Sequence, residues 1–367
     1  MKIKEAMFIG FFLCTFISFS AFASGRYEET DRGNAYIVTN EPEKMPILKE
    51  SLISPLNAQG TWHEDENGWW FEYSGGGYPS NTWEEIDNYW YYFNEDGYMI
   101  TGWIQVGGKW YFCETSNQGT APLGSMITGW REVDGEWYFL ETAGTSEFPL
   151  GAMRTGWHTW KGNKYYFRET KSSVHPEGSM VTDKITIGEL VYEFKEDGIF
   201  YAVSCPIVRR RQQKSNWCWA ASAEMIGKYR NPTSTKTQAD IVSNFYIGAF
   251  DIGGLTIQMP AALKFVGEDK IKSTKINHGP LDFNETKASI ENDEPFVGVL
   301  IWSNSGLIPN GHMVAMTGYA EKTKEIKIVD PWENTPTSFV PYDKAVAEYQ
   351  FETGLGTYTD CILAYKN

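Results

Sequence analysis

Apolar and aromatic positions between about Thr61 and Asp183 come in short bursts separated by glycine-containing turns. Three Gly-Trp steps, at Trp103, Trp130 and Trp157, stand 27 residues apart, and Met99, Met126, Met153 and Met180 keep the same period. Glycine precedes each of these methionines by two positions. Strict self-similarity of this kind marks a modular array in which each unit buries a face against its neighbour. Within a unit, an aromatic strand such as Trp110-Tyr111-Phe112 or Trp137-Tyr138-Phe139 follows a turn pair, Gly107-Gly108 or Asp134-Gly135. That pattern predicts a β-hairpin. A lone hairpin is marginal in water, so stacking has to supply the core.

The pattern changes after Glu189–Phe200, which still reads as strand, and Val203–Arg211, which leads into a new composition. Residues 220–229 have helical spacing, with Ala221, Met225 and Tyr229 on one face. Ser215 or Asn216 is placed to cap the start, and Asn231-Pro232 to end it. Cys218 then falls in the helix's first turn. Farther on come an apolar strand at Pro295–Trp302, a turn at Asn304–Gly311, a β-type run from His312 to Tyr319, and a strand from Ile326 that closes on Asp330. Two adjacent antiparallel strands would set Asp330 beside His312.

The start of the chain carries a different signal. Lys2 and Lys4, the apolar stretch Met7–Phe19 and the small residues Ala21-Phe22-Ala23 read as a secretory signal peptide. The apolar run is short for a bilayer span, and no membrane span is expected after signal cleavage. The expected divisions are 1–23 signal peptide, 24–60 polar linker or pro-segment, 61–183 hairpin repeats, 184–204 connector and 205–367 a separate domain. Residues 1–199 hold 15 Lys+Arg against 29 Asp+Glu and 11 of the 15 tryptophans; residues 200–367 hold 17 against 18. So acidic a surface lacks the basic footprint that nucleic acid requires, and suits neutral sugars or cations. Loss of Cys14 with the signal leaves Cys113, Cys205, Cys218 and Cys361. A Cys205–Cys361 pair is one possible connectivity, and would leave Cys113 and Cys218 as free thiols.

The repeats resemble the choline-binding family, the cell-wall-binding repeats of Gram-positive surface proteins. The resemblance rests on Trp103-Ile104-Gln105-Val106-Gly107-Gly108-Lys109-Trp110-Tyr111-Phe112 and then Gly124-Ser125-Met126-Ile127-Thr128-Gly129-Trp130. It implies binding of choline, teichoic acid or a surface glycan between the aromatic side chains Trp103, Trp110, Tyr111, Trp130, Trp137, Tyr138 and Trp157, and a cell-wall or cell-surface location. A quaternary ammonium has no hydrogen-bond donor and is attracted to aromatic faces. The units depart from the usual repeat by an insertion such as Thr115–Leu123. In the fourth unit Lys164 stands where Trp110 and Trp137 stand, unless a one-residue shift restores Tyr165.

The second part resembles the papain-like cysteine peptidases, in particular the branch with C39-like and AvrRpt2-type members. The residues that carry this are Gln212, Cys218-Trp219-Ala220-Ala221, Gly311-His312 before an apolar strand, and Asp330-Pro331 closing the next one. The resemblance implies an α+β papain-like domain after an all-β hairpin repeat domain, acting on a protein or peptide substrate. It assigns Cys218 as nucleophile, His312 as general base and acid, Asp330 as orienting carboxylate and Gln212 as oxyanion donor, with Gln213 the alternative. His278 is the rival base within this domain. Trp219 reads as core packing, while Trp217 is open between core and cleft. No metal or organic cofactor is expected, because neither Cys-x-x-Cys, His-Glu-x-x-His nor a phosphate-cradling glycine loop occurs. A peptidoglycan-cleaving amidase or endopeptidase, and a non-catalytic surface adhesin, are the competing readings.

Overall fold

A computed structural model describes residues 25–38, 58–118, 121–304, 310–332, 334, 335 and 337–367, and the expected signal peptide lies outside them. The described residues form two compact units. One runs to Gly156 and adds Phe167–Met180; the other comprises Trp157–Tyr166 and Val181–Asn367.

The first unit is built from antiparallel hairpins: Gly60–Asp65 with Gly68–Tyr73, Thr82–Ile86 with Tyr89–Phe93, Gly102–Val106 with Lys109–Cys113, and Gly129–Val133 with Glu136–Leu140. The 27-residue period has a backbone cause. Met99, Met126, Met153 and Met180 each bridge to the last residue of the hairpin just before them, Phe93, Cys113, Leu140 and Phe167. Their N–H groups donate at 2.7–2.8 Å to the carbonyls of Trp69, Trp90, Trp110 and Trp137, one hairpin farther back. Each methionine thus ties two successive hairpins. Gly124, Gly151 and Gly178 have φ of +76, +78 and +76°. A Cβ at these positions would collide with the side chains of Met99, Met126 and Met153. The glycine two places before Met126, Met153 and Met180 is therefore the hole that receives the methionine of the preceding unit, while Gly97, before Met99, makes room for Tyr78.

Part of the segment expected to be a polar linker is folded. Gly25–Thr30 pairs with Gly33–Val38, and the latter runs parallel to Gly102–Val106 with Tyr36 opposite Ile104. Ala35, Tyr36 and Val38 are buried there. The apolar run Ala35–Val38 is only four residues long, which hid the strand in a polar stretch.

The second unit contains a ten-stranded sheet among the described residues. Its strands are β1 (Lys184–Ile187), β2 (Leu190–Phe194), β3 (Phe200–Ser204), β4 (Ile271–Asn277), β5 (Phe296–Trp302), β6 (Gly311–Ala320), β7 (Glu325–Val329), β8 (Ser338–Pro341), β9 (Tyr349–Phe351) and β10 (Gly354–Lys366). The order is β1-β2-β3-β6-β5-β10-β4, with β7 joining β6 to β8 and β9 pairing β10. Residues 184–204, expected as a connector, supply three of these strands. The helices are α1 (Cys218–Arg230), α2 (Gln238–Phe245), α3 (Met259–Gly267), α4 (Phe283–Glu291) and the short α5 (Tyr342–Ala345). Both faces of the central strands are covered. Val297, Val299, Met313 and Ala315 pack with Trp219, Ala223, Ile226 and Leu263. Phe296, Leu300, Val314 and Met316 pack on the other side with Ile326, Ile328 and Tyr358. That explains near-continuous apolar strands where a half-buried sheet would alternate.

A substitution separates the two demands on the repeat glycines. Gly151→Ala has to accept a positive φ and displace Met126, and is expected to destabilise the repeats by about 2–4 kcal/mol. Gly135→Ala, at φ +81° with open space around it, should cost only about 1–2 kcal/mol. Urea midpoints followed by tryptophan fluorescence would measure the difference; equal losses would refute the methionine-socket account.

Candidate active site and aromatic cages

Cys218 is the first residue of α1, so its N–H has no acceptor four residues back and the helix dipole favours negative charge there. The expected caps are not used. Trp217 is the N-cap, without a side-chain cap bond, and Asn216 N–H instead donates to Asp251 Oδ1 at 2.8 Å. Ser222, one turn along α1, donates its buried hydroxyl to the Met313 carbonyl at 2.9 Å. That bond fastens the cysteine-bearing helix to β6 next to His312. Gly311 precedes His312 because a Cβ there would strike the Leu300 carbonyl on β5.

His312 Nε2 lies 2.7 Å from Asp330 Oδ1. Asp330 Oδ1 also accepts the Trp332 N–H at 2.7 Å, and Oδ2 the Thr353 hydroxyl at 3.3 Å. The backbone of Asp330 is held as well, since Arg209 Nε donates to the Asp330 main-chain carbonyl at 2.7 Å. Trp302 stacks on the imidazole at 5.9 Å between centroids, and Trp332 meets it edge-on at 6.4 Å. Burial alone would lower the pKa of His312. Hydrogen bonds to Asp330 and to the Cys218 thiol outweigh it and raise the group to about 9. Asp330 is lowered from its ordinary value: burial works against ionisation, but the bonds from His312, Trp332 and Thr353 prevail. Cys218 and His312 open on a cleft of about 600 Å³ that Asn216, Gly254, Trp302 and Trp332 also line.

Gln212 is not brought to this cleft. Its Nε2 donates to the carbonyls of Lys214 and Ser215, at 3.0 and 2.8 Å, so the expected oxyanion donor is spent on its own loop. Gln213 is exposed, and its N–H donates to Gln238 Oε1 at 2.9 Å. Trp217 is buried away from the cleft. Its indole N–H donates to the Phe250 carbonyl at 2.8 Å, and that of Trp219 to Ile252 at 3.2 Å. The two tryptophans beside Cys218 thereby hold the loop whose Gly253 and Gly254 form one wall. The rival base His278 is 86% exposed in its side chain and lies 3.6 Å from Asp360.

The remaining cysteines sit elsewhere. All four described cysteines are free thiols, so Cys205 and Cys361 do not pair. Burial pushes Cys113 up to about 12 and Cys361 up to about 11, and raises Cys205 as well. None of those three is disposed to ionise.

The repeats present a second kind of site. Trp62, Trp69, Tyr91 and Met99 border an opening of about 220 Å³. In the third hairpin the corresponding residues are Trp103, Trp110, Tyr138 and Met153, and the Trp103 ring lies 6.3 Å from Trp110 and 4.9 Å from Tyr138. In the second they are Trp83, Trp90, Tyr111 and Met126. There Trp83 and Tyr111 are fully buried and 5.2 Å apart, so Tyr111, expected at a ligand, belongs to the core. Trp130 and Trp137, 6.4 Å apart, begin the fourth, and Trp137 is 41% exposed. Trp157, in the other unit, is surrounded by Tyr166, Tyr192, Phe194 and Phe200 at 5.2–5.7 Å. Phe167 bridges Met180 as Cys113 bridges Met126, which sets Lys164 at the tryptophan position without a shift. Its ammonium lies 3.8 Å from Glu321.

Comparison with known proteins agrees with this division. Residues 81–118 match the choline-binding repeat, residues 128–145 and 155–170 a cell wall binding repeat, and residues 205–354 the Peptidase_C39 like family. The chain carries choline-binding repeats followed by a C39-like peptidase domain. Among solved structures, choline binding protein F from Streptococcus pneumoniae is 30% identical over 39% of this chain and 42% of its own, with a TM-score of 0.31. The modular Cpl-1 endolysin of phage Cp-1, solved with a peptidoglycan analogue and with choline, is 34% identical over 41% of this chain and 39% of its own, with a TM-score of 0.27. The autolysin LytC from Streptococcus pneumoniae is 27% identical over 42% and 36%, with a TM-score of 0.24. This chain therefore spans less than half the length of each. No curated protein matches.

Several residues of the C39-like domain escaped sequence reasoning. Thr353 and Arg209 touch Asp330 from 23 and 121 residues away, and no local pattern marks them. The Trp62/Trp69 cage did have a signal: its seven-residue spacing repeats that of Trp103/Trp110 and Trp130/Trp137. No helix of the described residues is long and apolar enough to cross a membrane.

The raised His312 couples stability to pH. A folded-state value of about 9 above the ordinary 6.5 contributes stability that is fully present below 6.5 and lost as pH rises towards 9. The urea midpoint of the C39-like domain should therefore fall between pH 6.5 and 9, and His312→Gln should flatten that fall. A variant with the wild-type slope would contradict the pairing.

Proposed function

We propose that the chain is a cysteine peptidase held at the bacterial cell wall by its repeats, hydrolysing peptide bonds through Cys218, His312 and Asp330. The observation that carries this is a buried imidazole bonded at 2.7 Å to a carboxylate and hydrogen-bonded to a cysteine at a helix N-terminus, all opening on one cleft. The C39-like family match over the same residues supports a peptidase-type hydrolase.

With Nε2 turned to Asp330, the other ring nitrogen of His312 receives the Cys218 proton. The thiolate attacks the carbonyl carbon of the scissile bond, and the charge that develops on oxygen meets the free N–H of Cys218. His312 then gives its proton to the leaving amine, the C–N bond breaks, and water hydrolyses the thioester to return the thiol. Asp330 keeps the ring oriented and stabilises the imidazolium. Trp302 and Trp332 shield the imidazole from water.

For the repeats, the reading is capture of choline-bearing teichoic acid or a related wall glycan. The open Trp62, Trp69, Tyr91 and Met99 cage supports it, since a quaternary ammonium binds aromatic faces without hydrogen bonds. The Cpl-1 endolysin, solved with choline and with a peptidoglycan analogue, favours one second reading, that the substrate is the peptide of the wall itself.

Casein and purified cell walls as parallel substrates distinguish the two, with thiol labelling followed by mass spectrometry under reducing conditions. Cys218→Ala and His312→Ala should abolish labelling at position 218 or turnover, and Asp330→Asn should lower kcat/KM by roughly 10²–10⁴-fold. Gln212→Ala should stay within about tenfold, against the ~10²–10³-fold loss of an oxyanion donor. Cleaved casein supports the proteinase; solubilised walls with intact casein move the reading to a lysin. Neither product, with no labelling of Cys218, leaves a non-catalytic adhesin.

A further inference from the structure

Arg32 lies at the turn of the N-terminal hairpin, where an arginine is ordinarily solvated, yet its side chain has no exposed surface. Its guanidinium carbon is 4.6 Å from the centre of the Trp110 ring and 5.2 Å from that of Trp103. Nη2 lies 3.4 Å from Met153 Sδ and donates to the Glu177 carbonyl, while Nη1 lies 3.1 Å from Asp31 Oδ1. Nε is buried without a hydrogen-bond partner among the described residues. Trp103, Trp110 and Met153 are members of the third-hairpin cage. Their first-hairpin counterparts, Trp62, Trp69 and Met99, surround an open cavity.

A delocalised cation such as a guanidinium is what an aromatic cage accepts in place of a quaternary ammonium, and ring faces in turn offset the burial of an N–H that finds no acceptor. The hairpin that delivers it is anchored beside the cage, since Tyr36 and Ile37 pair with Ile104 and Gln105 of that same third hairpin. The guanidinium and an external ammonium cannot share the space between the two indoles.

We propose that Arg32 is an internal cation occupying the Trp103–Trp110 cage, which closes that cage to external quaternary ammonium groups while the N-terminal hairpin is docked. The inference rests on the reading of the cages as ammonium sites, and it makes the hairpin a competitor of the wall ligand. Removing the hairpin, by proteolysis or by excess ligand, would add an attachment point.

Titration calorimetry of the full chain with choline chloride tests it by counting sites. Arg32→Ala and Arg32→Gln should each bind one more choline per chain than wild type, whereas Arg32→Lys, which retains a cation, should not. Adding Trp110→Ala to Arg32→Ala should remove the extra site. The glutamine variant, with an amide left to donate to the Glu177 carbonyl, serves if the alanine variant does not fold. Binding to wild type with no gain in either variant overturns the plug and keeps the cages. A gain in the variants over a wild type that binds nothing supports the plug and limits the wall-binding reading. No choline bound by any of the proteins overturns both.

Discussion

A charged imidazole kept inside protein is the constraint on which the C-terminal unit turns. Desolvation opposes a proton on His312, and the Asp330 carboxylate in direct contact, together with the Cys218 thiol, restores it. The Trp332 N–H and the Thr353 hydroxyl hold that carboxylate ionised and still, and the Arg209 guanidinium anchors the main-chain carbonyl behind it. An unpaired charge in this position would cost several kcal/mol, so losing one partner is felt by the other. The helix bearing Cys218 is brought to the imidazole by one buried hydroxyl bond, Ser222 to Met313, and by close packing of α1 on α3, where Gly227 admits Val266. Chemistry and folding therefore draw on the same contacts.

The repeat unit solves a different problem. Its hairpins are five to six residues a strand and cannot bury their aromatic rings alone. The methionine N–H that reaches back one hairpin converts sequence period into structural stacking, and the preceding glycine leaves room for the previous methionine's side chain. The two tryptophans and tyrosine that this brings together leave a cavity in the first unit, a solid core in the second and a cage around Arg32 in the third. One scaffold thus gives unequal sites, because small changes in what lies beside each hairpin decide whether the aromatic faces meet each other, a side chain or open space.

Legibility followed the range of the interactions. The two-part architecture, the hairpins and the helix from Cys218 could be read from local spacing, since turn pairs, a 27-residue period and helical periodicity are all short-range signals. The adjacency of His312 and Asp330 followed from treating β6 and β7 as antiparallel neighbours. Gln212 shows where motif spacing stops short: its distance from Cys218 in sequence fits an oxyanion donor, but two nearby carbonyls take its amide. The strand at Gly33–Val38 has a local hairpin partner in Gly25–Thr30, but its docking on the repeats is a parallel pairing with Ile104, 68 residues away and beyond any local pattern. Trp217 looked equally suited to core and cleft until its indole N–H found the Phe250 carbonyl.

The sequence by itself determined the order of the parts, the chemistry available to them and the residues among which the site had to be sought. Tertiary structure alone decided which thiol shares a hydrogen bond with an imidazole, which thiols stay buried and unpaired, and which aromatic cage is already filled. The physical reason is that residue type and spacing fix what a group is able to do, whereas ionisation, access and occupancy depend on what the fold packs against it. Arg32 has the charge of any surface arginine; only the two indoles it packs against make it a ligand.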